Sequence, residues 1–425
     1  MTQHGALSII ADLKPGAKQK VIELLKQVEA GKDDLNGIIP FRKINTIHFA
    51  RILVLNERAD AFGNPLPGSV VFTTNFDVPL KEHLQQLIEF GGPGIWNIFS
   101  LCTDFVQADY DPEKLYDYLT KHNRKANTFY VGVGHRSVQQ IHNETLLREE
   151  IEKFVDDNHA AFNNKSALHI QKQLQEYLDN KPEFQWAKVS EPRATSAWKL
   201  KFYGSLILVI LAFIILLPVI IPFIIIWLII ILIDEIRYDS PKITVSKQHL
   251  RELTERETGM VQAQFSAVGN LKPGWFRLHT ILFLLKLVNF LAPYLFSKGK
   301  LSGIPTVHFA RWLIINNGRQ MLFLSNYDGN SETYLRDFIN IAAKQLTLLF
   351  SHTTGYPKTW LMVFGGAKDA KNFMNWARHN QIITNVWYSA NKDVTVKNIY
   401  NNSKIREGIY SNFTEKEALK WLSLI

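Results

Sequence analysis

From Phe202 to Ile233 the chain reads FYGSLILVILAFIILLPVIIPFIIIWLIIILI, without a single Asp, Glu, Lys or Arg. An uncharged apolar run longer than about 18 residues marks a membrane segment, because soluble core helices are shorter and keep a polar stripe. As one straight helix it would measure about 48 Å, against a hydrocarbon core of about 30 Å. It therefore either tilts strongly or folds back. Pro218 and Pro222 fall near its middle, and each removes a backbone donor. A reversal there leaves two arms of about 15 residues, roughly 22 Å each, which enter a bilayer without crossing it. A turn at that depth must satisfy its own backbone polar groups, which weighs against the hairpin.

The 425-residue chain has a formal net charge of +9, and its length predicts at least two domains. Lys188, Arg193, Lys199 and Lys201 precede the apolar run, and Arg237, Lys242 and Lys247 follow it. Basic flanks on both sides suit an anionic cytoplasmic leaflet, so a membrane location with the soluble parts on the cytoplasmic side is expected. There is no zinc-ligand spacing, helix-turn-helix pattern or RNP-type motif, and no nucleic-acid partner is expected. Cys102 is the only cysteine. That excludes internal disulfides and cysteine-based zinc sites, and no metal site is predicted. Cys102 itself reads as a small buried hydrophobe.

Segments of the first part return in the same order after the apolar run. Leu13-Lys14-Pro15-Gly16 returns as Leu271-Lys272-Pro273-Gly274, and Thr46-Ile47-His48-Phe49-Ala50-Arg51 as Thr306-Val307-His308-Phe309-Ala310-Arg311. Thr73-Thr74-Asn75-Phe76-Asp77 returns as Leu324-Ser325-Asn326-Tyr327-Asp328, Lys121-His122-Asn123 as Arg378-His379-Asn380, and Val138-Gln139-Gln140-Ile141 as Val396-Lys397-Asn398-Ile399. Five matches in one order predict an internal duplication. Alternation and turn residues give each copy a β-α-β-β-α-β order, the split βαβ arrangement of ferredoxin-like domains. The predicted divisions are a first repeat at 1–160, a polar helical connector at 161–201, the membrane segment at 202–233, a charged helical connector at 234–260, and a second repeat at 261–425. A helix starting at Leu80 is expected to stop at Gly91-Gly92-Pro93-Gly94.

The order of elements resembles that of the dimeric α+β barrel superfamily, here in tandem. That superfamily includes small monooxygenases, chlorite dismutases and dye-decolourising peroxidases. The His-Phe-Ala-Arg and Ser-Asn-Tyr-Asp-Gly segments also resemble parts of bacterial proteins linked to haem-peroxidase-type domains. The resemblance implies an α+β fold in which two ferredoxin-like repeats bury their bare sheet faces against each other as an intramolecular barrel. It names haem as a cofactor to consider. No ligand role transfers to a histidine here, and the Gly-Phe-Arg-Asp-Gly type signature of the dye-decolourising peroxidases is absent. Copies that pair must share one side of the bilayer. This favours a hairpin at Leu217–Pro222, while pairing between two chains would keep a single span open. The first helix of the second copy, Trp275 to Phe296, is far more apolar than its counterpart and reads either as interfacial or as buried against the connectors or another subunit. The two polar connectors, Lys165–Asn180 and the charged SKQHLRELTERET at Ser246–Thr258, could lift the body off the surface.

His48 and His308 sit within strands, on the face opposite Phe49/Arg51 and Phe309/Arg311. Each is a candidate axial ligand or general base, set against the commoner role of a core histidine. Arg51 and Arg311 lie mid-strand under two covered faces and need acceptors. Asp77 and Asp328 are the expected partners, so Asp77→Ala and Asp328→Ala should each cost roughly 3 kcal/mol. No phosphate loop, nucleophile elbow or metalloprotease motif is present. The leading expectation is a membrane-tethered tandem domain that binds an apolar small molecule, a lipid or a membrane partner. The alternative is a haem-dependent or cofactor-free oxidoreductase using His48, His308, Arg51 and Arg311. A structural scaffold is the third reading, and self-association is open.

Overall fold

The computed structural model describes residues 3–105, 109–189, 196–238, 240–257, 260–295 and 300–425, with the backbone alone at 196–199, 201–202 and 295. It is a mixed α+β protein. In chain order the first half carries β1 (His4–Asp12), α1 (Lys18–Ala30), β2 (Ile47–Leu55), β3 (Ser69–Asp77), α2 (Leu80–Phe99), α3 (Pro112–His122), β4 (Thr128–Val131), α4 (Val138–Asp157) and α5 (Ala167–Asp179). The long apolar helix is α6 (Ser196–Arg237). The second half carries α7 (Lys247–Glu257), β5 (Gln262–Asn270), α8 (Trp275–Leu295), β6 (Val307–Ile315), β7 (Gln320–Asp328), α9 (Ser331–Ile341), α10 (Ala343–Phe350), α11 (Ala370–Asn380), β8 (Thr384–Ser389), α12 (Val396–Ile409) and α13 (Glu415–Leu422).

Two four-stranded antiparallel sheets result, ordered β1-β3-β2-β8 and β4-β6-β7-β5. Each half thus places its last strand in the other half's sheet. β8 lies on β2, with Trp387 opposite Arg51, and β4 lies on β6, with Phe129 opposite Arg311. Just before it crosses, each exchanged segment touches the first strand of its own half. Asn123 bridges Ile9, and Gln381 bridges Ala267. The Arg124 N–H donates to the Ser8 carbonyl at 2.7 Å, and the Ile382 N–H to that of Ser266 at 2.7 Å. β2 is buried along its whole length, which requires both faces to be covered and accounts for its near-continuous apolar sequence.

The outer face of each sheet carries helices over its own apolar cluster. Between the sheets lie three layers. At one end Leu53, Val71, Val268, Leu313, Leu322 and Leu324 interdigitate. At the other, Phe49, Phe309 and Trp387 do so. A polar layer holding Arg51 and Arg311 separates them. The connecting helices pack onto this body. In α7 the Arg256 guanidinium donates to the Thr384 carbonyl at 2.9 Å, and Glu257 pairs with Arg378 at 2.9 Å. In α5 Gln171 donates to the Gly408 carbonyl at 2.8 Å.

The proline-turned hairpin is not present. α6 is a single helix of 42 residues that passes through both Pro218 and Pro222. Each proline forfeits one hydrogen bond, whereas a reversal frees about four N–H and four C=O groups in a stretch with almost no polar side chain to receive them. A similar correction applies to α2, which runs through Gly91-Gly92-Pro93-Gly94. A Cβ on Gly94 would lie 2.5 Å from the Ile38 carbonyl oxygen. The glycines let the loop at Ile38 approach the helix; they do not end it.

α6 and α8 are both long and apolar enough to cross a membrane. α8 covers the second sheet with Ile281, Leu284 and Leu285 and leaves Phe283, Leu287 and Phe290 exposed. Phe296, expected to end this helix, lies outside the described residues. α6 runs antiparallel to α8. Near its start Ser205 Oγ meets the Tyr294 hydroxyl at 3.2 Å. Near its end Trp227 Nε1 donates to Thr280 Oγ1 at 3.0 Å, and Asp234 pairs with Arg277 at 2.5 Å. Buried Glu235 accepts from Thr359 Oγ1 at 2.5 Å and from the Met362 N–H at 3.0 Å.

Candidate functional site

Strand pleating aims Arg51 and Arg311 into the space between the sheets, and each guanidinium reaches the opposite half. Arg51 Nη1 donates to the Phe265 carbonyl at 3.1 Å and to Ser266 Oγ at 2.9 Å. Its Nη2 donates to the Ser325 carbonyl at 2.8 Å and to Asn326 Oδ1 at 2.5 Å. Arg311 donates to the Leu7 carbonyl at 2.6 Å, Ser8 Oγ at 3.0 Å and the Thr74 carbonyl at 2.8 Å. The expected Arg51–Asp77 and Arg311–Asp328 pairs do not form. Neutral acceptors alone receive these charges, and burial pulls both guanidinium pKa values down to about 9, with Arg51 adding to the effect on Arg311. Both stay charged at neutral pH. Each plane is a fork that matches several carbonyls at once, which a lysine could not do.

The carboxylates pair with the histidines. His48 Nε2 donates to Asp77 Oδ1 at 2.8 Å, and His308 Nε2 to Asp328 Oδ1 at 2.6 Å. The second carboxylate oxygens accept the first N–H of a helix, Val138 of α4 and Val396 of α12, each at 2.9 Å. An acidic group at a helix N-terminus is favourable. Sequence alternation misplaced the histidines because a bulge interrupts the β2/β3 register between Ile47 and Phe49, and the β6/β7 register between Val307 and Phe309. A bulge re-aims side chains. His48 and Phe49 consequently both reach Phe309, at ring-centroid distances of 5.2 and 5.8 Å. His48 and His308 are 3% and 1% exposed and pack against phenyl rings, which leaves no room for a macrocycle, so neither histidine is set up as an axial haem ligand. Asp77→Ala and Asp328→Ala should still destabilise by roughly 3 kcal/mol, now through a lost buried His–Asp bond and a first helical N–H left without its acceptor, while Ser137 and Thr395 go on capping the two helices. Chemical denaturation measures this.

A third side chain joins the first of these pairs. His4 is the register partner of Asp77, and its Nε2 lies 3.6 Å from Asp77 Oδ1. One ligand atom from each of His4, His48 and Asp77 falls within 4.8 Å of the other two. His4 Nε2 also donates to the Arg136 carbonyl at 2.9 Å. Burial, then the charge of His48, holds the His4 pKa down to about 3. The sequence reading missed His4 because it lies outside the repeated motifs, and its meaning appears only when β1 is registered against β3. The chain matches no protein-family model, no curated protein and no solved structure. What the site can do must therefore be read from its own chemistry.

Cys102 is buried, and burial pushes its thiol up to about 12, far from a reactive thiolate. A cavity of about 640 Å³ is lined by Lys18, Glu57, Arg58, His249, Glu252 and Arg256 among others, and a second of about 260 Å³ by Asp60, Lys272, Trp275 and Arg319 among others. Both also carry apolar side chains, Val54 and Ile382 in the first and Phe62 and Leu278 in the second, and neither contains His48 or His308. His83 is buried between Thr46 and Thr74 and stacks on Phe76 at 4.2 Å.

Burial lowers the His83 pKa from 6.5 to about 3. Fully buried His352 is also lowered, by burial and the nearby Arg277 and Lys272 charges. Between those pH limits the unfolded chain binds protons that the folded chain does not, so their contribution is complete above about pH 6.5 and is lost on acidification. The melting temperature should fall between about pH 7 and pH 4, and less steeply for His83→Gln. Equal slopes in the two proteins would show that His83 is not a buried neutral group.

Proposed function

We propose that the chain is a membrane-seated protein whose two halves form one intramolecular α+β barrel, with the soluble body on the cytoplasmic side. The strand exchange and the bridges at Ile9–Asn123 and Ala267–Gln381 support the barrel, because they continue hydrogen bonding across both sheet edges. The observation that carries the membrane reading is the unbroken apolar surface of α6. Leu208, Ile215 and Phe223 are each about 70% exposed, at 69%, 75% and 69%. Phe283 and Phe290 of α8 extend that surface. A patch of this extent is not left to water; it meets lipid or a membrane partner. Of the ligands considered, a bilayer fits better than an enclosed apolar small molecule, since the two cavities described open to the surface and mix charged with apolar side chains. The helices would hold the body to one leaflet, and the basic residues around Lys188 and Lys242 would face anionic headgroups.

Flotation of the full chain with vesicles containing about one third anionic lipid tests this. The protein should rise with the vesicles, and the triple variant Leu208→Glu, Ile215→Glu, Phe223→Glu should stay behind with its soluble fold intact by circular dichroism. A wild-type protein that stays behind, or that buries the same helices in a detergent-free dimer, would overturn the reading.

A further inference from the structure

We propose that His4, His48 and Asp77 bind one divalent first-row transition ion, of the zinc or ferrous class, in the first half of the protein only. The inference is independent of the membrane reading, since these residues lie at the junction of β1, β2 and β3 and use neither apolar helix.

The three donors already converge. His48 Nε2 and His4 Nε2 lie 2.8 and 3.6 Å from the same oxygen, Asp77 Oδ1, and the His4 and His48 rings are 4.9 Å apart between centroids. An ion with ligands at about 2.0–2.1 Å sets its donors roughly 3–3.4 Å apart, so shifts of a few tenths of an ångström at Asp77, and somewhat more between the rings, would seat one. Two imidazoles and a carboxylate are a borderline donor set that suits zinc, iron and their neighbours better than calcium or magnesium, which prefer oxygen alone. On binding, the protons now on the two Nε2 atoms would move to Nδ1 or leave. The carboxylate is oriented beforehand, because Asp77 Oδ2 is held by the Val138 N–H at 2.9 Å. Such outer bonds fix metal ligands in place. The Arg136 carbonyl, 2.9 Å from His4 Nε2, is a further oxygen beside the set.

The second half supplies the contrast. It repeats the His–Asp bond and the capped helix, so those two features alone say nothing about a metal. At the position registered against Asp328 it has Gln262. Gln262 Nε2 donates to the Val394 and Asn391 carbonyls at 2.6 and 3.0 Å, and its Oε1 accepts from Ser389 Oγ at 2.6 Å. An amide thus does there what the His4 N–H does for Arg136. What the imidazole adds is a second nitrogen donor beside the carboxylate. The side chains of His4 and His48 are 2% and 3% exposed, and that of Asp77 is 14% exposed. The site is sheltered from water and open along one carboxylate edge.

The second half also provides a substitution that the fold tolerates, His4→Gln. Purified full-length protein in detergent, stripped with chelator, would be titrated with zinc and separately with cobalt(II), with binding read by dialysis and by the cobalt d–d absorption. Wild type should take up one equivalent with high affinity and melt higher with zinc present. His4→Gln should bind at least about a hundredfold more weakly, since a ligand lost outweighs the 10–100-fold cost of a lost outer bond, and should melt like wild type in chelator. Equal zinc affinity in the two proteins would overturn the proposal. So would a wild-type protein that takes up neither metal.

Discussion

Arg51→Met should destabilise the protein by roughly 3–5 kcal/mol, and Arg311→Met by a similar amount, read as a shift in denaturation midpoint in detergent. The guanidinium of Arg51 is the donor to four acceptors of the opposite half, two of them the Phe265 and Ser325 carbonyls. Methionine matches its length and apolar stem but offers no N–H. The cost is therefore that of stranding buried acceptors, at about 1–3 kcal/mol each with some relaxation, and not mainly that of a cavity. Asn326 would keep its bonds to Trp387 Nε1 at 3.1 Å and Asn75 Oδ1 at 3.0 Å, which limits the collapse of the layer. Arg51→Lys should recover only a small part of the loss, because one ammonium cannot serve both strands. Removing one arginine also relieves the repulsion it exerts on the other, a relief that each single variant gains and the double gains only once, so the double variant should cost somewhat more than the sum of the singles. A change below about 1 kcal/mol for Arg51→Met would mean that the arginine layer does not join the halves.

That layer shows what the sequence could and could not reveal. The strands were legible because IHFARILVL and VHFARWLII are β-rich and bounded by turn residues, and the need of a mid-strand arginine for an acceptor follows from burial alone. Which acceptor it takes depends on what faces it, and the exchange of β4 and β8 sets that. An exchange is a choice between partners of similar local pattern more than 200 residues apart, and no local signal records it. The bulges at His48 and His308 had the same effect at shorter range. One inserted residue turns a histidine away from its predicted face, and with it the partner of Asp77. His4 became legible only through β1/β3 pairing. The apolar run was the plainest signal of all, yet its prolines misled. A proline marks where a helix could break, and whether it does depends on what else could satisfy the freed backbone.

Cysteines placed singly near Lys199 and near Arg237, in a Cys102→Ser background, should behave alike toward an impermeant thiol reagent. Neither should react in intact cells, and both should react after permeabilisation. α6 would be about 63 Å long at 1.5 Å per residue, twice the hydrocarbon thickness, and a tilted crossing is open to it on length alone. The body forbids it. One end of the helix continues from the first half and the other leads into the second, and those halves share both sheets and both arginine forks. A crossing would place them on opposite sides of the bilayer and break all of these contacts. Its start is held at Tyr294 and its end at Thr280 and Arg277, all on α8, whose inner face is packed against the second sheet. A helix pinned to one body at both ends lies along it, and on the membrane reading proposed above its outward face would enter a single leaflet. The prolines then need no turn to explain them, since a helix lying against α8 keeps its direction and loses only two donors. Labelling of one cysteine but not the other in intact cells would establish a crossing. It would also mean that the halves found their partners in a second chain.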